Sequence, residues 1–122
     1  MFRGSEIKKL SIDPALIGFC DEVQKINERL KTQNRVLIVT NSTLYYIDPQ
    51  FKAIKGSVAL TEIESIDVST LNDNFFLVHV KGNKDLLLCS EKKTEILTII
   101  RKFQSSITIH PANSFNFRRK DK

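Results

Sequence analysis

The stretch FCDEVQKINERLKTQNRVLIVTNSTLYYID, from Phe19 to Asp48, decides the fold of this chain. In its second half, Arg35–Thr40 and Thr43–Asp48 are rich in β-branched and aromatic residues, which favour strands. Asn41 and Ser42 lie between these segments, and a two-residue connection of turn-forming residues is typical of a β-hairpin. The sequence therefore predicts a hairpin at this point.

The first half of the stretch permits two interpretations. Val23, Ile26 and Leu30 have helical spacing, so one interpretation is an amphipathic helix. The other is a first strand, Phe19–Asn27, followed by a polar loop, Glu28–Asn34. Propensity and spacing alone favour the helix.

Positive charge is concentrated just before the hairpin. Lys25, Arg29, Lys31 and Arg35 lie around the expected loop. A hairpin that frames a basic loop can present this charge to an anionic surface. The net charge of +5 permits an acidic membrane or a nucleic acid as partner and selects neither.

The length and composition predict one folded domain. The chain has 122 residues, of which 41% are hydrophobic and 27% charged. No apolar run approaches the ~20 residues that cross a bilayer, and the first ten residues have no apolar signal core. Cys20 and Cys89 lack metal-ligand spacing, so we expect two reduced thiols in a cytoplasmic protein.

Further strands follow the hairpin. Gly56 indicates a bend or bulge in the first of them, while Leu71–Asn74 and Gly82–Asn83 read as turns. We expect the strands to be Phe51–Leu60, Ile63–Val68, Phe75–Val80 and Asp85–Cys89.

One convincing helix follows these strands. Ser90 is expected as its N-cap, with Glu91 in the first turn. Residues 106–117 alternate in part and are expected to be extended, and residues 118–122 form a basic tail. Near the N-terminus, Asp13 and Pro14 should start a turn that ends at Gly18. The apolar face of the helix comprises Ile96, Leu97, Ile99, Ile100 and Phe103.

The predicted fold class is mainly β (α+β), with about seven short antiparallel strands and one C-terminal amphipathic helix. A sheet of this kind curls into a partly open barrel that the helix plugs, which resembles the pleckstrin-homology fold. In that fold, the loop between the first two strands is the common ligand site. We expect a single domain over 1–122, with a lead-in at 1–18, a core at 19–103 and an extension at 104–122.

The sequence lacks the patterns of catalytic sites. The four glycines have no nucleotide-binding spacing. His79 and His110 have no grouping of acids or cysteines for a metal site or a triad, and His79 is expected to be a structural strand residue. The adjacent aromatic pairs are expected to pack in the core, which argues against nucleic acid as a partner. We predict no enzyme activity, no cofactor and no metal.

Four stretches resemble the tail homology 1 domain of class I myosins, the membrane-binding tail of single-headed motors. Phe19–Asn27 is similar to F-x-D-x-V-x-K-x-N, and Arg35–Asp48 to R-x-L-x-L-T-x-x-x-L-Y-x-x-D. Ile66–Val80 matches I-x-V-S-x-L-x-D-x-F-x-x-L-H-V, and Asp85–Leu97 resembles D-L-L-L-x-S-x-x-K-T-E-x-x. This resemblance selects the strand for Phe19–Asn27 and supports the pleckstrin-homology-like fold.

The resemblance implies peripheral binding of phosphoinositides and other anionic membrane lipids. It implies further that the module links a class I myosin motor in the same native chain, or the actin cytoskeleton, to the membrane at the cell cortex. The family pairs a Lys at the end of the first strand with an Arg at the start of the second, which here are Lys25 and Arg35. Arg29 and Lys31 fill the loop, and four such cations supply about 4 kcal/mol near an anionic leaflet.

The predicted lipid-binding patch extends beyond the loop, and the loop sequence departs from the family motif. Lys52 and Lys55 lie on the strand expected after the hairpin and widen the predicted lipid-binding patch. Glu28 stands where the family often has a basic residue, and Leu30 stands where it often has Gly. This dilution of charge favours the alternative function, a protein–protein interaction domain on the same scaffold.

Overall fold

The predicted hairpin around Asn41 and Ser42 is present, and it belongs to one eight-stranded sheet. The protein is described by a computed structural model that covers residues 4–71 and 73–112. The strands are β1 (Ile17–Ile26), β2 (Thr32–Thr40), β3 (Thr43–Ile47), β4 (Ile54–Ala59), β5 (Ile63–Ser69), β6 (Phe75–Val80), β7 (Leu86–Cys89) and β8 (Thr108–Ala112). The sheet has the order β4-β3-β2-β1-β7-β6-β5-β8, and its two edge strands do not pair with each other.

The first strand settles the open question in the sequence. Ile17–Ile26 is a strand that pairs antiparallel with β2 over its length and with β7 at its C-terminal end. The prediction of a loop over Glu28–Asn34 was too long, because β2 begins at Thr32. Gln33 and Asn34 pair with Lys25 and Gln24, so hydrogen bonding to β1 extends the strand beyond its apolar part.

The strand count and one strand direction differ from the prediction. The described residues contain eight strands, because β8 pairs with β5, and this pairing is parallel. The residues 106–112 are in part extended as predicted, and residues 113–122, including the predicted basic tail, lie outside the described residues. Strand β4 begins three residues later than expected, since Phe51 has a φ of 60° and belongs to the preceding turn.

The N-terminal segment contributes more than a lead-in. Gly4–Lys9 forms a helix, α1, and Ile7 and Ile12 are buried against the outer face of β2 and β3. Asp13 caps a short 3-10 turn over Pro14–Leu16 by accepting the N–H of Ala15, as the sequence predicted. The turn does not reach Gly18, because β1 begins at Ile17.

The C-terminal helix α2 (Lys93–Phe103) starts later than expected. Its capping residue is Lys92, and Ser90 is wrong as the N-cap. Ser90 instead closes a turn between β7 and α2, because its Oγ accepts the N–H of Lys92 at 3.0 Å. Among the described residues, no helix has the length and apolar character needed to cross a membrane.

The main core lies inside the curved sheet and under α2. The predicted apolar face of the helix packs into it, with Ile96, Leu97 and Ile100 buried and the other two members partly buried. Residues from β2 and β6, such as Leu37 and Phe76, belong to the same cluster, so the two halves of the sheet fold over one another.

Three connections meet at one region of the sheet. The β1–β2 loop is residues 27–31, the β3–β4 loop is residues 48–53, and the β6–β7 loop is residues 81–85. Because β1 is antiparallel to β2 and β7, and β2 to β3, all three loops follow from strand ends on the same side. This topology positions the candidate site.

Gly56 allows a close approach between β3 and β4. A Cβ atom at this position would lie 2.1 Å from the Tyr46 hydroxyl oxygen and 2.2 Å from the adjacent ring carbon. The register between these strands shifts beside this pair, which is the bulge that the sequence indicated at Gly56. The Tyr46 ring therefore covers the glycine backbone.

Replacement of this glycine should displace the tyrosine. We expect Gly56→Ala to lower the free energy of unfolding by about 1–3 kcal/mol, because the added methyl overlaps a ring that packs against the core. Urea denaturation followed by circular dichroism measures the loss. Ser57→Ala, at an exposed neighbour in the same strand, is the control, and equal losses in both variants would contradict this explanation.

Candidate functional site

The β1–β2 loop is a tight turn organised by Asn27. The Oδ1 atom of this residue accepts the backbone N–H groups of Arg29 at 2.9 Å and Lys31 at 3.0 Å. Its own N–H donates to the carbonyl of Lys31, and its carbonyl accepts the N–H of Leu30 at 2.9 Å. These bonds hold Arg29, Leu30 and Lys31 at an exposed tip.

Lys25 and Arg35 lie on the same face of the β1–β2 hairpin. Lys25 pairs with Gln33, and Val23 pairs with Arg35. The two pairs are separated by two residues along each strand. Directly opposed residues and residues two apart share a face of an antiparallel pair. Since Val23 belongs to the main core, both cations project from the inner face near the rim of the sheet.

The ammonium group of Lys25 is held over an aromatic ring. Its Nζ lies 5.5 Å from the centroid of the Tyr46 ring, within the range of a cation–π contact. Partial burial lowers the pKa of Lys25, and the nearby positive charges of Lys84 and Arg35 lower it further. The Glu28 carboxylate acts in the opposite direction.

Lys25 lines a cleft of about 330 Å³ that lies between the β1–β2 and β6–β7 loops. Arg29 lines this cleft from the first loop, and Lys84 lines it from the second. Lys84 was not among the site residues predicted from the sequence. The only local signal was the Gly82–Asn83 turn, which does not reveal that β7 pairs with β1 and brings Lys84 to Lys25. The remaining lining residues include Asn27, Tyr46, Ser57, Asn83 and Asp85.

Glu28 supplies an internal anion beside these cations. Its Oε1 lies 3.0 Å from the Nζ of Lys84, and the pair links the β1–β2 and β6–β7 loops. Both side chains are partly exposed, at 36% and 54%, so water and salt weaken the attraction. An anionic ligand in the cleft would therefore compete with Glu28 for Lys84, and the attraction that it has to replace is weak.

Arg35 lies beside a second cleft, of about 570 Å³. Its Nη1 donates to the carbonyl of Asn34 at 2.8 Å. Its Nε is buried and has no hydrogen-bond partner in the described part of the chain. Acidic side chains also line this second cleft, among them Asp21, whose pKa is lowered by its ion pair with Lys92.

The other three predicted cations lie outside the two clefts. Lys31 is exposed at the loop tip, while Lys52 and Lys55 are exposed in and after the β3–β4 loop. The N–H groups of Ala53 and Lys52 donate to the carboxylate of Asp48, which fixes this loop and lowers the pKa of Asp48. None of these three lysines lines either cleft, and we call them the rim lysines because they lie in or next to the β1–β2 and β3–β4 loops.

His79 anchors the β6–β7 loop. Its Nδ1 lies 2.8 Å from the Asp85 carboxylate, and its Nε2 lies 2.7 Å from that of Asp67 in the neighbouring strand. Asp85 also accepts the N–H of Val80 at 3.3 Å. Burial opposes the positive charge of His79, but the hydrogen bonds to both carboxylates outweigh it, so its pKa is raised.

In the part of the chain that the structure describes, the metal-ligating side chains and the two thiols do not form a site. No group of three or more potential metal-ligating side chains occurs there. Cys20 and Cys89 are unpaired and half-buried, and burial raises the pKa of both thiols.

A family comparison identifies the chain. Residues 3–122 match the model of the family described as "Unconventional myosin tail, actin- and lipid-binding". The chain belongs to this myosin tail family. It is 37% identical over 98 residues to the myosin IA heavy chain of Dictyostelium discoideum, covering 75% of the chain and 10% of that relative. It is 36% identical over 94 residues to the myosin heavy chain IB of Acanthamoeba castellanii, covering 72% and 8%.

These myosin relatives are much longer than this myosin tail chain, which spans about a tenth of their length or less. Among solved structures, the C-terminal PH domain of human pleckstrin has a TM-score of 0.60 at 21% identity, covering 74% of this chain and 78% of that one. The same domain in complex with D-myo-Ins(1,2,3,5,6)P5 also has a TM-score of 0.60, at 18% identity, with coverage of 74% and 94%. These likenesses show the pleckstrin-homology fold.

The raised pKa of His79 predicts a pH-dependent stability of the tail domain. Protonated His79 stabilises the fold fully below its ordinary pKa of 6.5, and this contribution is lost as pH rises through the raised value. We therefore expect the deficit of His79→Gln in unfolding free energy to be largest near pH 6 and to shrink toward pH 9. Urea titrations across this range measure the deficit.

The control for this prediction is the second histidine. His110→Gln changes an exposed residue of β8 and should alter stability little at any pH. A His79→Gln deficit that stays constant from pH 6 to pH 9 would exclude a contribution from the histidine charge.

Proposed function

We propose that this myosin tail domain is a peripheral membrane-binding module that recognises phosphoinositides and other anionic phospholipids. In this proposal, it links a class I myosin motor, and through it the actin cytoskeleton, to the membrane at the cell cortex. The observation that carries the proposal is the convergence of Lys25, Lys84 and Arg29 around one cleft, with Arg35 on the same face of the hairpin.

The electrostatics of the cleft favour a phosphate ligand. Lys25 is partly desolvated and lies close enough to Lys84 and Arg35 for their charges to depress its pKa. A phosphate group between these cations would relieve their mutual repulsion and accept charge-assisted hydrogen bonds. The buried Nε–H of Arg35 is a further donor that an anionic oxygen could satisfy.

The rim lysines would attract the membrane before the cleft binds a headgroup. Lys31, Lys52 and Lys55 are exposed around the same loops. Each cation near an anionic leaflet contributes about 1 kcal/mol, and this attraction acts over a Debye length of about 8 Å. The rim cations would therefore attract the domain to the leaflet, and the cleft would select the headgroup.

Similar proteins support this proposal. The family description names lipid and actin binding, and the fold is shared with a pleckstrin domain solved with an inositol pentakisphosphate. The site residues rest on the geometry of this chain, since the structural neighbours are below 25% identity.

A protein-binding function is the second candidate. The Glu28–Lys84 pair already satisfies one cation in the first cleft, and the second cleft mixes Asp21, Glu22 and Glu91 with basic residues. Such mixed charge also suits a polar protein surface. Actin filaments are the first protein partner to test, because the family description names actin.

The central experiment is co-sedimentation with vesicles of graded phosphoinositide content. We expect wild-type binding to rise with phosphoinositide and to weaken at least about tenfold in the double variant Lys25→Ala/Arg35→Ala, which removes two charge-assisted contacts. Arg101→Ala/Lys102→Ala is the matched control, because it removes the same net charge from exposed positions of α2. The control should retain most of the binding.

The alternatives give different results in this assay. Equal losses in both double variants would show that only net charge matters and would reject a specific site. A folded wild type that does not bind vesicles but sediments with actin filaments would support the protein-binding function.

The Glu28–Lys84 pair yields a separate prediction for affinity. Glu28→Gln should bind the same vesicles about twofold to fivefold more tightly, because the headgroup no longer displaces a carboxylate worth up to about 1 kcal/mol. Glu95→Gln makes the same charge change at an exposed position of α2 and serves as the control. An unchanged affinity in Glu28→Gln, or an equal gain in both variants, would show that Glu28 does not compete for the site.

A further inference from the structure

We propose that Leu30, at the tip of the β1–β2 loop, inserts into the apolar layer of an anionic bilayer while the cleft behind it holds a headgroup. This inference rests on the proposed function and adds an apolar anchor to it.

Leu30 is 78% exposed, which is more than any other large hydrophobic side chain in the described residues. Its φ of 61° lies in the left-handed region, which a leucine rarely adopts. The hydrogen bonds of Asn27 fix this conformation from both sides of the turn. The fold therefore holds an apolar side chain in solvent at the end of a well-defined turn.

The surroundings of Leu30 match the chemistry of a membrane interface. Arg29 and Lys31 flank it in the sequence, and both are exposed. Long basic side chains can keep their charges at headgroup level while a neighbouring apolar residue enters the acyl region. A second exposed hydrophobic residue, Ile54 at 38%, begins β4 beside the β3–β4 loop at the same side of the sheet.

The position of the tip is compatible with headgroup binding. Asn27 and Arg29 form part of the cleft wall, and Leu30 follows them immediately at the outer end of the loop. A headgroup held in the cleft would therefore place this turn against the leaflet. An apolar tip flanked by Arg29 and Lys31 complements an anionic bilayer in both polarity and charge, so the bilayer is the occupant we propose.

The absence of tryptophan from the chain allows a direct test. Leu30→Trp introduces a single reporter at the tip, and Leu71→Trp introduces one at another exposed leucine, in the connection between β5 and β6 at the far end of β6. Both variants would be mixed with vesicles of phosphatidylcholine, phosphatidylserine and phosphatidylinositol bisphosphate. We expect blue-shifted emission and quenching by acyl-brominated lipid for Leu30→Trp alone.

A binding assay measures the contribution of insertion. Leu30→Gly should lower the vesicle partition coefficient about tenfold, since the buried leucine surface is lost. Glycine is favoured at a φ of 61°, so this variant should fold at least as readily as the wild type. Leu71→Ser, which removes an exposed leucine far from the tip, should bind vesicles normally. Binding of soluble inositol hexakisphosphate should be unchanged in both variants.

Each outcome separates insertion from headgroup binding. Vesicle binding by Leu30→Trp without a spectral change or quenching would overturn the insertion and leave the proposed function intact. A loss of inositol hexakisphosphate binding in Leu30→Gly would also overturn it, because the leucine would then shape the cleft. If Leu30→Gly lost co-sedimentation with actin filaments and still bound vesicles normally, the insertion would be overturned and Leu30 would be assigned to a protein contact. Failure of every protein, including wild type, to bind vesicles would reject the proposed function itself.

Discussion

The pairing of β1 with two strands is the constraint on which the site depends. β1 hydrogen-bonds to β2 along its length and to β7 at its C-terminal end, although β7 lies about sixty residues further along the chain. This double pairing brings the β1–β2 and β6–β7 loops to one place. It also sets the register in which Lys25 and Arg35 share a face. A shift of β1 by one residue would turn Lys25 to the outer face, away from Arg35, and would remove Val23 from the main core.

The site keeps like charges close together, and the fold supplies what holds them there. Lys25 is partly buried over Tyr46, and the approach of that ring requires Gly56 to lack a side chain. The loop that carries Lys84 is anchored by His79 through Asp85, whose side chain is fully buried. The surrounding core is apolar and well packed, so these polar contacts decide the position of the loops while the core supplies the stability.

The same loop combines two properties that are usually opposed in a soluble protein. It presents cations that attract an anionic surface, and it exposes a leucine that water disfavours. Asn27 makes this possible because its side chain and backbone close the turn without help from the core. In the proposed function, the cleft would contribute headgroup contacts, the exposed lysines around it would contribute long-range attraction, and Leu30 would contribute apolar burial.

The sequence by itself determined the local elements and the positions of the main cations. Asn41-Ser42 specified the hairpin, the apolar run Phe75–Val80 specified β6, and the pattern from Ile96 to Phe103 specified the buried face of α2, because each signal lies within a few residues. Periodicity alone favoured a helix over β1, and only the family resemblance selected the strand. Only the tertiary structure added Lys84 to the site, paired β8 with β5 and gave His79 its two carboxylate partners. These depend on contacts between distant segments, which no local pattern encodes.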